Sequence, residues 1–99
     1  MGIFSVKKEI TPDTIIQRES GLLFNEIDGE VVMLSIENSE YYGMNEIGSQ
    51  IWLMIEKPIS LHDLLNNLIS EFEISYIKCK EDTLEFLDLL IIKKLISIS

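Results

Sequence analysis

Basic residues are scarce in this chain. Eight lysines and arginines stand against 17 aspartates and glutamates, for a formal net charge of −9. Such a field repels a phosphate backbone and favours a basic protein or peptide, so nucleic acid is not an expected partner. The same charge also serves plain solubility. Cysteine occurs once, as Cys79, which excludes an internal disulfide and fits a reducing, cytoplasmic setting. Histidine also occurs once, as His62. One cysteine and one histidine do not make the usual nitrogen and sulfur set of a zinc site. No histidine is placed by sequence to act as a base for Cys79, although Lys78 and Lys80 flank the thiol. The five glycines are scattered, so no phosphate-cradling loop is present. No apolar run approaches a membrane span: Leu89-Leu90-Ile91-Ile92 stops at Lys93-Lys94. The N-terminus has no signal-peptide core, and Val6 stands where a myristoylation signal needs Ser or Thr. Neither a catalyst nor a cofactor, metal or membrane partner is expected.

What is present suits one modest domain. The chain has 99 residues, 46% of them hydrophobic, enough for a core. Residues 1–19 read as an N-terminal segment, flexible or carrying a short extra strand at residues 14–18. Residues 20–99 read as the domain.

The first half of the domain carries β signals. Residues 22–27 form a strand candidate, followed by Asp28-Gly29, a dipeptide suited to the positive φ angles of a type I′ hairpin. Residues 31–36 are apolar on both faces, as in a central strand covered on one side and partly on the other. A turn over residues 37–40 follows, with Asn38 suited to a left-handed conformation. Tyr41 to Met44 complete a three-stranded antiparallel meander and lie at its edge. Asn45 then reads as an N-cap, with Glu46 in the first turn. Gly48 costs about 1 kcal/mol inside a helix, and such a glycine marks close backbone approach, here of helix to sheet.

The second half carries helical signals. A first helix is predicted over 46–55, with Ile47, Ile51, Met54 and Ile55 on one face, ended by Pro58. A second begins at Ser60, where Ser60 and Asp63 resemble a capping box, and carries a stripe from Leu61 to Phe72. A third is predicted over 80–94, with Lys93 and Lys94 in its last turn. Leu84, Leu87, Leu90 and Ile91 make its apolar stripe, and Phe86, Leu89 and Ile92 extend it. Such a helix is either deeply buried or lines a groove. Residues 95–98 read as an extended tail. The predicted class is α+β.

Three readings fit these residues. An edge strand can bind an extended peptide by strand addition. Three helices and a small sheet also suit a winged-helix nucleic-acid binder, against which the charge argues. A scaffolding subunit is the third.

The run from Ser39 to Trp52 resembles a pattern of the PqqD-like family, close to Gly-x-Tyr-Tyr-x-Leu-Asn-x-x-Gly-x-x-Ile-Trp. Ser39 replaces the glycine and Met44 the leucine. Asp28-Gly29-Glu30-Val31-Val32, Glu71-Phe72 and Phe86-Leu87-x-x-Leu90 also match, while Lys94 stands where the family often has glycine. Each motif alone is weak; their order and spacing over about residues 20 to 96 carry the resemblance. More narrowly, the chain resembles the stand-alone members that serve lasso-peptide biosynthesis. The resemblance implies a winged-helix-like fold of three strands followed by three helices. It implies a non-catalytic recognition element that binds the leader of a ribosomally made precursor peptide. The leader would add as a strand to the third strand, in a cleft closed by the third helix, and be presented to a leader peptidase or other maturation enzyme. On that basis Tyr41, Tyr42, Gly43 and Met44 are expected to offer the edge, with Tyr42 and Met44 facing one way and Tyr41 and Gly43 the other. Asp82, Glu85, Phe86 and Leu89 share one side of the third helix and are expected to form the cleft wall.

Overall fold

The computed structural model describes residues 10–35 and 39–99. The expected left-handed Asn38 and the strand end at Ile36 lie outside the described residues. In chain order the elements are β1 (Ile15–Arg18), β2 (Leu23–Ile27), β3 (Glu30–Ser35), β4 (Glu40–Gly43), α1 (Glu46–Met54), β5 (Ile59–Ser60), α2 (Leu61–Glu71), α3 (Tyr76–Ile92) and β6 (Ile96–Ile98). The class is α+β, with two three-stranded antiparallel sheets and three helices.

One sheet is the expected meander, in the order β2-β3-β4. Asp28 and Gly29 take φ values of 52° and 83°, so the hairpin turn has the left-handed pair its sequence suits. At the next turn Ser39 has φ 53°, a conformation that favours glycine. β4 sits one residue earlier than predicted, at Glu40–Gly43 rather than Tyr41–Met44. The second sheet, β5-β1-β6, was not foreseen as a unit. Its strands are two to four residues long, too short to show a period. β1 is its centre, pairing with β6 through Ile16 and Ile98.

The helix starts follow their caps. Asn45 Oδ1 accepts from Gly48 N at 2.8 Å, Ser60 Oγ from Asp63 N at 3.1 Å, and Ser75 Oγ from Lys78 N at 3.2 Å. The last of these corrects the predicted start of the third helix. It begins at Tyr76, not near Lys80, because Ser75 supplies the cap. Its end differs too. Lys93 is the C-cap and Lys94 follows at φ 60°, so the lysines lie beyond the last turn. Lys94 N donates to Ile91 O and Leu95 N to Leu90 O, the pair of bonds of a Schellman closure.

The core lies between the sheets and helices and centres on Trp52, with Ile16, Met33, Ile51 and Leu87 fully buried around it. α1 buries Gly48, Ser49, Ile51 and Trp52, whereas Ile47 and Met54 are only half-buried, so its inner face is rotated from the predicted one. The hydroxyl of Ser49 explains the rotation. It accepts from Val31 N at 2.8 Å and donates to Met44 O at 3.2 Å, tying α1 to the meander. Arg18 is held over the rings of Phe24 and Trp52, 4.8 and 5.1 Å from their centroids, with Glu56 at 3.8 Å. Burial lowers its pKa, and Glu56 partly offsets this.

Candidate functional site

β4 is one of the two edge strands of the meander. Among the described residues it pairs only with β3, in a register that sets Tyr42 opposite Met33 and Gly43 opposite Val32. Met44 N donates to Val31 O just past the strand. Antiparallel bonding alternates along a strand, so Tyr42 shares that inward orientation. The backbone N–H and C=O of Tyr41 and Gly43 therefore point to the open edge. Side chains alternate as well. Met44 is 6% exposed and Tyr42 half-buried on the inner face, whereas Tyr41 is 76% exposed on the outer one. The face left open by the sequence is thus assigned: Tyr42 and Met44 point inward.

Met44 leaves the candidate set on physical grounds. Its side chain is in the core, its N–H bonds to β3 and its C=O accepts from Ser49. None of its groups is turned toward the edge.

A groove of about 530 Å³ runs between α1 and α3. Ile47, Gly48 and Ile51 line one wall; Phe86, Leu89 and Ile92 line the other, with Asp82, Glu85 and Asp88 among the lining residues. The four α3 residues singled out from the sequence, Asp82, Glu85, Phe86 and Leu89, are therefore brought together. The extra apolar side of α3 lines a groove: its core face is Cys79, Thr83, Leu87 and Leu90, while Leu89 and Ile92 stay 50% and 71% exposed. A Cβ added to Gly48 would lie 3.1 Å from Asn45 Oδ1 and 3.3 Å from Phe86 Cζ. The close approach made by this glycine is thus to α3 across the groove floor, not to the sheet.

The α1 wall was missed from the sequence. Its signals are Gly48, which reads from the sequence as an approach to the sheet, and Ile47, which reads only as a member of one helix face. Tyr41, Tyr42 and Gly43 do not line the groove but lie immediately before α1, which supplies one wall. Lys93 joins α3 to β4: its Nζ is 3.8 Å from Glu40 Oε2 and 5.5 Å from the Tyr42 ring centroid. Lys78 pairs with Asp82 at 3.2 Å.

The residues considered for catalysis are not gathered. His62 is exposed beside Asp63 and Asn66, and Cys79 is buried with Sγ 4.0 Å from Thr83 Oγ1. Among the described residues no group of three or more His, Cys, Asp or Glu could hold a metal ion. No helix among them is long and apolar enough to cross a membrane.

Residues 30–96 match the family described as Coenzyme PQQ synthesis protein D (PqqD). The chain belongs to the PqqD family. The matched span runs from β3 to the start of β6 and so includes β4 and both walls of the groove. Among solved structures the chain is similar to "TbiB1 in Complex with the TbiA(beta) Leader Peptide", at 25% sequence identity and a TM-score of 0.75, over 82% of this chain and 94% of that one. No curated protein matches.

Proposed function

We propose that this PqqD-family protein is a non-catalytic, winged-helix-like recognition element for the leader of a ribosomally made precursor peptide. The leader adds as a strand along β4, taking the outward N–H and C=O groups of Tyr41 and Gly43. Its side chains reach the groove between α1 and α3, where Phe86 and Leu89 hold apolar groups and Asp82 and Glu85 attract lysines or arginines. The observation that carries this reading is a sheet edge that, among the described residues, pairs on one side only and leads straight into a groove wall. It gains support from the likeness to a chain solved with a leader peptide.

The finer assignment is to lasso-peptide biosynthesis in the cytoplasm, with delivery to a separate leader peptidase. The outer face of the meander supports delivery. Leu23, Leu34 and Tyr41 align across its three strands, with Val32 and Ile27 beside them. Leu23, Ile27 and Tyr41 are exposed, and Glu30 borders them on the same face. This patch suits an enzyme with an apolar face and a basic rim, bound while the β4 edge holds the peptide.

The test is titration with leaders of short precursor peptides, followed by amide NMR. Saturable binding that shifts Tyr41 and Gly43 is expected. Glu85→Lys should weaken binding and flatten its salt dependence; if both are unchanged, the electrostatic role of Glu85 is wrong. Gly43→Pro removes an edge donor and should weaken binding in a variant that circular dichroism shows folded, with Gly43→Ala close to wild type. Tight duplex-DNA binding at physiological salt, without leader binding, would instead favour a nucleic-acid role.

A further inference from the structure

We propose that Lys93 is a latch across the peptide cleft, seated on Glu40 and Tyr42 while the cleft is empty and lifted when a strand enters. This rests on the reading of β4 as the docking edge. The backbone of Lys93 is fixed: its N–H donates to Leu89 O at 3.0 Å, and the Schellman closure follows at once. The side chain is the movable part, and it joins the end of α3 to β4, the two elements beside which the added strand would lie. Its contacts bracket the edge groups a peptide needs. Glu40 and Tyr42 lie on the inner face of β4, and the outward N–H of Tyr41 lies between them.

These two contacts are individually weak. The ion pair is long, at 3.8 Å, and Glu40 is half exposed. An exposed pair of this kind, with one cation–π contact, shifts an equilibrium by roughly three- to tenfold. Such a latch slows entry and rejects peptides that bind too weakly to displace it.

Two substitutions test this. Lys93→Met keeps the apolar stem and removes the charge; Glu40→Gln removes the acceptor charge and keeps Lys93. In the ligand-free protein, amide exchange at Tyr41 should rise in both variants by roughly three- to tenfold. Rates equal to wild type would overturn the latch.

The second arm is stopped-flow association with the tightest binder from a displayed library of 20-residue peptides. Both variants should associate faster by a similar factor. Glu40→Gln is the sharper variant, because it weakens the acidic field. Simple steering of a basic peptide would make its association slower, so a fall or no change would overturn the proposal. If no library peptide shifts the β4 amides of the wild-type protein, the docking reading fails, while the exchange arm still decides whether Lys93 shields the edge.

Discussion

Ser49 does the work of a joint. Its hydroxyl satisfies one backbone group on each side of the β4–α1 corner, with no exposure of the residue. Ser49→Ala leaves the N–H of Val31 and the C=O of Met44 without this partner in the core. An unsatisfied buried polar group costs about 1–3 kcal/mol, so the variant should lose about 2 kcal/mol or more in urea unfolding. Gly48 offers the opposite case, where stability and binding separate. Alanine gains about 1 kcal/mol of helix propensity but presses Asn45 and Phe86. Both neighbours are side chains, so Gly48→Ala should fold with stability within about 1 kcal/mol of wild type. It should also bind peptide more weakly, because Phe86 is pushed into the groove. Unchanged affinity would show that Phe86 does not set the groove's shape. Ser39 at φ 53° gives a third prediction. Ser39→Gly relieves a left-handed strain of about 1 kcal/mol, less the entropy glycine adds to the unfolded chain, and should raise the melting temperature by a few degrees.

Among the elements, those with a period or a turn signature were legible. The Asp28-Gly29 hairpin, the stripe of α2 and its Ser60 cap appear where the residues place them. α3 was legible in its middle and not at its ends. At its start, Ser75 stands among β-branched and aromatic neighbours that mask a cap. At its end, Lys93 and Lys94 look like residues in a last turn, when they are the cap and the left-handed residue after it. Ser75→Ala tests the start: loss of the cap should cost about 1 kcal/mol by thermal melting, and no change would mean the helix begins without it. The site divides along the same line. The α3 wall could be read because three- and four-residue spacing put its members on one side. The α1 wall could not, because the two buried hydrogen bonds of Ser49 that tie α1 to the meander leave no mark in the apolar pattern.

At the scale of the molecule, the charge of −9 includes Asp82, Glu85 and Asp88 along the groove. Association with a lysine- or arginine-bearing leader should therefore slow steeply as salt rises, since screening lengths fall to about 8 Å at physiological ionic strength. A salt-independent rate would place the basic residues of the leader elsewhere.

The small second sheet has a consequence of another kind. β1 is its middle strand, yet its two partners come much later in the chain: β5 after the meander and α1, and β6 at residues 96–98. Ile15 and Ser99 exchange both backbone bonds at 2.9 Å. During synthesis β1 must therefore wait, unpaired on the β6 side, until residues 96–99 have left the ribosome. The meander and helices can form locally before that. The pairing is a zipper between the earliest and latest described strands, and it links the integrity of both ends of the described fold to each other.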